Sequence, residues 1–151
     1  MARAKPAGLA TAHARTVAFQ GIEVRPVEVQ VQLSAGLPAF TVVGLADKAV
    51  TESRERVRAA IAALGLALPA KRLTVNLAPA DIQKEGSHYD LPIAMAVLEA
   101  LAVVPEGAFA GATMLGELGL DGRLRAVPGV LPAAVAAAGA GLALVCPAAS
   151  G

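Results

Sequence analysis

The side chains able to do chemistry are concentrated in one short segment of this 151-residue chain, between an apolar strand pattern and an apolar helix pattern. The segment reads K-E-G-S-H-Y-D and supplies an amine, two carboxylates, a serine hydroxyl, an imidazole and a phenol. A serine beside a lysine could form a nucleophile and its base. Loops on a rigid scaffold commonly carry such chemistry. The candidate site is therefore this loop, with the residues Lys84, Glu85, Gly86, Ser87, His88 and Asp90.

Structural roles compete with these chemical ones. Asp90 precedes an apolar run with Pro92 in its first turn, so it is predicted to be the N-cap of a helix over residues 90–104. His88 beside Asp90 could also be a metal pair or a base with its orienting partner. The sequence contains only one other histidine, His13, and no cysteine cluster, so no metal site is predicted.

The lysine and the glycine of the loop also have ordinary interpretations. Lys84 and Glu85 are interpreted as a solvated charge pair, and Gly86 as a position that requires a positive φ. A dyad of Ser87 with Lys84 is sterically possible, since the two residues are close in the chain. It is disfavoured because a lysine in a polar loop keeps its proton.

The elements that must position this loop follow from periodicity. Alternation of apolar and polar residues predicts strands, Asp47 is the predicted N-cap of a long helix that ends before Gly65, and Asp121-Gly122 marks a hairpin turn. Residues 1–15 are expected to be a disordered tail. The predicted strands are 16–22, 23–33, 39–44, 72–77, 113–118, 123–127 and 142–146, and the predicted helices are 47–64, 90–104 and 130–138.

Bulk composition excludes several classes of protein. Mean hydropathy is +0.60, but the longest uncharged run, residues 126–151, is divided by Pro128, Pro132 and Pro147, so no membrane span is predicted. The N-terminus lacks the apolar region of a secretory signal, and the one cysteine, Cys146, allows no internal disulfide. A cytoplasmic protein is expected. A net charge of +1 gives no global attraction to nucleic acid.

Two local basic clusters are candidate phosphate-contacting surfaces. The alternative is a solvated helix face balanced by Glu52 and Glu55, and it is favoured because no aromatic residues interleave to stack on bases. Glu52 and Arg56 are expected to pair weakly on that solvent face. The candidate DNA-binding residues are Arg54, Arg56, Arg58, Lys71 and Arg72 in one cluster, and Arg123 and Arg125 in the other.

Three separated segments carry a resemblance to a known family. GLPAFTVVGLADKAVTESRERVRAAI, RLTVNLAPADIQKEGSHYDLPIAMAVL and LGELGLDGRLRAVPGVLPAAVAA resemble the N-terminal domain of magnesium-chelatase-like AAA+ proteins of the ComM/YifB family. The resemblance implies a parent ATPase that assembles as a ring, a hexamer in the better-described members, and acts as a helicase on branched DNA in competence and recombination. The dipeptide Gly-Lys of a P-loop occurs nowhere here. ATP and magnesium are therefore expected only in an AAA+ module beyond residue 151.

A more distant similarity concerns the fold and the ancestral chemistry. The segments KEGSHYDL and GELGLDGRLRAVPG are similar to stretches of the Lon protease domain, which implies an α/β fold of the ribosomal-protein-S5-domain-2 type, a mixed sheet with helices packed on it. The Ser–Lys dyad of Lon would fall at His88 and Leu131, and neither residue is the required one. A non-catalytic accessory domain for ring assembly and DNA or substrate guidance is expected. The alternatives are a residual Lon-type hydrolase and a pure protein-interaction module.

Overall fold

A long antiparallel hairpin forms the centre of the sheet in the computed structural model, which describes residues 10–150. Strands β1 (Ala10–Gln20) and β2 (Glu23–Ser34) pair over their whole length, from Ala10 opposite Leu33 to Gln20 opposite Glu23. Gly21 makes the turn between them at φ +61°, a conformation that glycine adopts without steric cost. The β-branched residues of β2 suit this extended, pleated pairing.

The other strands extend this hairpin into a six-stranded mixed sheet of order β3-β4-β2-β1-β5-β8. On one side β4 (Arg72–Ala78) pairs antiparallel with β2, and β3 (Ala39–Val43) pairs parallel with β4. On the other side β5 (Ala112–Met114) runs parallel to β1, and β8 (Ala143–Val145) runs parallel to β5. The chain is therefore mixed α/β, which confirms the predicted fold class.

Helices cover the two faces of this sheet unequally. Helices α2 (Ser53–Ala63) and α3 (Asp90–Ala100) pack against the main hydrophobic core, which contains alternate residues of β2 such as Val29 and Val31. Helix α4 (Val130–Gly139) lies in a smaller cluster with Val17. Ala18, the neighbour of Val17 in β1, belongs to the main core, and neighbouring residues of a strand point to opposite faces, so Val17 lies on the other face of the sheet.

The N-terminal strand is longer than predicted. Residues 10–15, expected to be part of a disordered tail, belong to β1, where Ala12 and Ala14 are buried opposite Val31 and Val29. Alanine is a weak strand signal, and its small side chain is buried here because the larger valines of β2 fill the core beside it. Residues 1–9 of the predicted tail lie outside the described part of the chain.

Two predicted helix boundaries are corrected. The single helix predicted over 47–64 is divided at Glu52 into α1 (Lys48–Thr51) and α2. Asp47 is the N-cap as predicted, with its Oδ1 accepting from the N–H of Val50 at 2.8 Å. Helix α3 ends at Ala100 rather than at residue 104, because Ala102 takes a φ of +60° and the following N–H of Val103 closes on the carbonyl of Leu98 at 2.9 Å.

The predicted hairpin near Asp121-Gly122 is present but shorter than expected. It consists of β6 (Glu117–Leu118) and β7 (Leu124–Arg125), and Gly122 in its turn has a φ of +84°. The preceding residues 112–114 belong to the large sheet as β5. A short 3-10 helix (Ala148–Ser150) follows β8. Within residues 10–150 no helix combines the length and apolar character needed to cross a membrane.

Candidate functional site

The carboxylate of Asp90 is the centre of a buried polar cluster. Its side chain is fully buried and accepts hydrogen bonds from Ser53 Oγ at 2.5 Å, from Arg56 Nε at 2.6 Å and from the backbone N–H of Leu118 at 3.0 Å. Arg56 Nη2 adds a further bond to Asp90 Oδ1 at 3.1 Å, so the guanidinium is bidentate. One carboxylate therefore joins α2, the start of α3 and strand β6.

Asp90 is not the N-cap that its position in the sequence predicts. Tyr89 occupies the cap position and makes no side-chain cap bond, while Asp90 is the first residue of α3 and turns toward α2. An N–H group in the first turn of α3 is paired outside the helix, since the N–H of Leu91 donates to the carbonyl of Gly116 at 3.0 Å. The N–H of Gly116 in turn donates to the carbonyl of His88 at 3.0 Å.

Arg56 does not lie on a solvent face, contrary to the prediction. Its side chain is 18% exposed, its Nη2 donates to the carbonyl of Ala49 at 2.9 Å, and its contact with Glu52 is 3.8 Å long. The hydrogen bond with Asp90 raises the pKa of Arg56. Because the guanidinium is already committed to Asp90, Arg56 is unsuited to the DNA contact proposed for it from the sequence.

Lys84 is buried, whereas the sequence suggested a solvated pair with Glu85. Its Nζ donates to the backbone carbonyl of Gly44 at 2.7 Å and to that of Pro79. Its backbone also bridges the β3–α1 connection, since its N–H donates to Leu45 and its carbonyl accepts from Asp47, both at 3.0 Å. Burial lowers the pKa of Lys84. The lysine thus ties two loops together, and Glu85 beside it is exposed.

Ser87 and Lys84 bond to different partners in the structure. Ser87 Oγ donates to Glu117 Oε2 at 2.6 Å, while both described bonds of the lysine Nζ are to backbone carbonyls. The serine therefore links the loop to strand β6. A Ser–Lys dyad of these two residues is not formed in this arrangement.

His88 is a core residue of the sheet-to-helix corner. It is 4% exposed, and its Nε2 lies 2.7 Å from the carbonyl oxygen of Val17, which fixes Nε2 as the donor because a carbonyl can only accept. Its ring packs against the rings of Phe19 and Tyr89, with centroid distances of 5.3 and 4.1 Å. Burial lowers the pKa of His88. The imidazole is therefore held neutral between apolar rings.

Gly86 and Leu131 are the other two residues for which the sequence predicts a role or a correspondence, Gly86 as a positive-φ position and Leu131 as a position of the Lon dyad. Gly86 has a φ of +100°, which confirms the predicted backbone requirement, and a Cβ at this position would lie 3.2 Å from Nδ1 of His88. Leu131 lies on α4 and is 75% exposed. The positions to which the sequence resemblance assigns the Lon dyad thus hold a buried neutral imidazole and an exposed aliphatic side chain.

The predicted basic clusters are only partly presented to solvent. Arg54 is half-buried and donates to the carbonyls of Thr51 at 3.1 Å and Phe40 at 3.4 Å. Arg58 is exposed and lies over the ring of Phe40, 5.8 Å from its centroid. The remaining candidates are all exposed, namely Lys71 and Arg72 at the start of β4 and Arg123 and Arg125 on the β6–β7 hairpin.

Ser53 and Glu117 belong to the site although they are not among the residues predicted from the sequence. Ser53 falls on the apolar stripe of the helix predicted over 47–64, together with Val50 and Val57, and a hydroxyl at a core position signals a buried polar partner. Glu117 carries no such local signal, because only the fold brings it to Ser87. Among the described residues, 10–150, no group of three or more histidine, cysteine or acidic side chains is arranged to hold a metal ion.

Replacing Asp90 by asparagine is expected to cost about 3–5 kcal/mol of unfolding free energy, because the substitution leaves the charge of Arg56 without its partner. The matched control is Glu52→Gln. It removes the charge of the other acidic partner of Arg56, which is more exposed and makes a longer contact, so it should cost less than about 1 kcal/mol of unfolding free energy. Urea unfolding at neutral pH measures both. Equal losses for the two variants would show that the Asp90 cluster does not organise the fold.

His88 is expected to make the protein less stable in mild acid. Its pKa is lowered in the folded state, so the unfolded chain binds more protons as pH falls below about 6.5, and the free energy of unfolding decreases by up to about 1.4 kcal/mol per pH unit. Urea unfolding between about pH 7 and pH 5.5 tests this in a His13→Gln background, where His88 is the only histidine. Adding His88→Gln should remove this slope; a slope that persists would contradict the assignment.

Comparison with known proteins gives the family of this chain. A family model described as subunit ChlI of Mg-chelatase matches residues 29–150. The protein YifB of Salmonella typhimurium is 46% identical over 133 residues, which cover 88% of this chain and 26% of that protein. YifB of Escherichia coli is 47% identical over 122 residues, or 81% of this chain and 24% of that protein.

A third relative carries a more informative name. Competence protein ComM of Haemophilus influenzae is 46% identical over 120 residues, covering 80% of this chain and 24% of that protein. The chain thus spans about a quarter of the length of these relatives. These matches confirm the resemblance seen in the three sequence segments, and the chain belongs to the magnesium-chelatase-like ComM/YifB family.

Proposed function

We propose that this chain is a non-catalytic accessory domain of a magnesium-chelatase-like AAA+ ATPase, serving ring assembly and the guidance of DNA or another substrate. One observation supports this most directly. The lysine, serine, histidine and aspartate of the 84–90 loop each bond a neighbouring element of the fold. The loop that would hold a nucleophile therefore serves as a joint between elements.

The chemistry of the individual groups supports a non-catalytic role. A serine becomes a nucleophile when a base takes its proton, and the nearest partner of Ser87 is the carboxylate of Glu117, a weak base. Burial lowers the pKa of Lys84, but both described bonds of its Nζ are to backbone carbonyls, and Ser87 bonds a different group. His88 presents its Nε2 proton to Val17 and is enclosed by aromatic rings. A residual Lon-type hydrolase is the less well supported alternative.

The proposed parent protein would carry an ATPase module outside the region matched here. The matched region is about a quarter of each relative, so a remaining portion of the parent would provide the AAA+ module with its ATP and magnesium. The relative from Haemophilus influenzae is named as a competence protein, and we extend the implied helicase role on DNA to the parent. That role would place the parent in the cytoplasm.

The DNA part of the proposal rests on exposed cations near α2. Arg58, Lys71 and Arg72 are exposed, whereas Arg56 is committed to Asp90 and Arg54 to backbone carbonyls. Exposed cations can exchange condensed counterions for phosphate contacts, so binding through them would weaken steeply with salt. The proposed DNA surface is therefore narrower than the cluster seen in the sequence.

The double substitution Arg58→Ala with Arg72→Ala is expected to weaken DNA binding. It should also reduce the slope of log Kd against log salt concentration by about two, one for each lost phosphate contact. Fluorescence anisotropy of a labelled duplex and a labelled single strand, at about 50 and about 200 mM salt, measures this. The matched control is Arg15→Ala with Arg25→Ala, which removes the same charge from strands β1 and β2.

Two results would contradict the DNA part. One is no binding of either probe at the lower salt concentration, which would leave a protein-interaction module as the function. The other is an equal loss of affinity in the control variant, which would show that only net charge is sensed.

A further inference from the structure

Helix α4 is apolar on every side, although one of its sides is exposed. Its sequence VLPAAVAAAG contains no charged or hydrogen-bonding side chain. Ala133 and Ala137 are buried, whereas Leu131 is 75% exposed and Val135 is 66% exposed. At about 100° per residue, Leu131, Val135 and the exposed Ala138 form one stripe on the outer side of the helix. We call this the outer stripe. Because helices that are apolar all round are normally buried, it has the composition of an interior surface.

Strand β8, which follows α4, is an open edge of the sheet. The N–H of Ala143 and the carbonyl of Val145 are both bonded on the β5 side, at 2.9 and 3.0 Å. Because backbone groups of alternate residues point to opposite sides of a strand, the N–H and C=O of Leu144 point to the open edge. Exposed edges are usually protected by charged side chains, and residues 126–150 contain none. This edge is therefore suited to pairing with another strand.

The chemistry of an occupant follows from these two features. The open edge requires an extended backbone, since a strand meets the N–H and C=O of Leu144 with groups of its own. The outer stripe requires apolar side chains, and a second helix presents such side chains at matching intervals. Strands β1, β5 and β8 already run parallel, and parallel strands are joined through crossover helices. A single strand-and-helix unit would cover both features.

A separate molecule is a poor source for this unit. Three residues of edge and the three side chains of the outer stripe make a contact well below the roughly 1,200–2,000 Å² that stable interfaces bury. A unit on the same polypeptide does not need that area, because the covalent connection gives it a high effective concentration. The chain spans about a quarter of the length of its relatives, so a parent of similar length has the residues to supply the unit.

We infer that the outer stripe of α4 and the open edge of β8 are the docking surface for a strand-and-helix unit of the parent protein, outside the region described here. Its strand pairs with Leu144 and extends the sheet beyond β8, and its helix places apolar side chains against Leu131 and Val135. The inference rests on the proposed function in one respect, which is that the parent contains more than this chain. The domain is then one part of a larger folded unit that the parent completes in cis.

Thiol labelling tests the helix side of this surface. In a Cys146→Ser background, Val135→Cys places a thiol on the outer stripe, and Leu37→Cys, at a position 85% exposed between β2 and β3, is the matched control. Both variants are labelled with a maleimide, in this chain and in the parent expressed from its complete reading frame, and peptide mass spectrometry gives the rates. Both thiols should react rapidly in this chain. In the parent, only Val135→Cys should react more slowly, by about tenfold or more, because a covered thiol reacts only when the covering element moves away.

Hydrogen exchange of the same two proteins tests the strand side. The amide of Leu144 should exchange about tenfold or more slowly in the parent than in this chain, because it gains a backbone partner there. The control is the amide of Val42 on β3, the strand at the opposite edge of the sheet, which should exchange equally in both proteins.

The possible failures are distinguishable. Equal labelling of Val135→Cys in the two proteins, or equal slowing at Leu37→Cys, overturns the inference. Protection that is lost when the parent is diluted also overturns it, because a second molecule would then be the occupant. A reading frame with no residues beyond this chain would remove the inference and the proposed parent together. ATP hydrolysis by the parent tests the proposed function separately: hydrolysis without protection leaves that function standing without this surface, and protection without hydrolysis does the reverse.

Discussion

The buried carboxylate of Asp90 is the constraint on which the rest of the structure depends. A carboxylate removed from water costs several kcal/mol unless charged or polar donors surround it. Here the donors come from positions far apart in the sequence, Ser53 and Arg56 on α2 and the N–H of Leu118 on β6. Satisfying one charge therefore requires three segments to meet. Because α2 and α3 are placed by this meeting, the core beneath them and the hairpin beside them are placed with it.

Three polar residues of the loop before Asp90 are held in the same manner. Lys84 reaches the β3–α1 connection, Ser87 reaches β6 and His88 reaches β1. Each bond satisfies a group that would otherwise be costly to bury, and each also fixes the position of an element. A catalytic loop instead needs a hydroxyl and a base aimed at a common reacting atom. The same residue types thus support a structural joint, and the partners decide between the two roles.

The sequence predicted the parts of this fold that depend on local pattern. The alternation of Val27, Val29, Val31 and Leu33 located β2, and Asp47 located the start of a helix. The start of β1 was missed because alternating alanines carry little strand preference, although the facing valines of β2 make them a strand. The break at Glu52 was missed because nothing in the sequence interrupts the helical pattern there.

The site was less predictable than the fold, since its partners are distant in sequence or belong to the backbone. Asp90 has the sequence context of an N-cap, and only the arrival of Arg56 from α2 makes it the centre of a cluster. Lys84 donates to the backbone carbonyls of Gly44 and Pro79. Every residue has a backbone carbonyl, so residue type cannot predict which ones accept these bonds. Ser53 is the exception, because a hydroxyl on an apolar stripe signals a buried hydrogen bond.

Whether Ser87 is a nucleophile can be measured most directly with a fluorophosphonate probe, which labels activated serines, followed by intact-mass analysis. A known serine hydrolase treated in parallel confirms that the probe is reactive. A non-catalytic joint predicts no adduct on the natural chain or on Ser87→Ala, because the hydroxyl is bonded to Glu117 and lacks a competent base. An adduct on Ser87 that is absent from Ser87→Ala would contradict the proposed loss of catalysis.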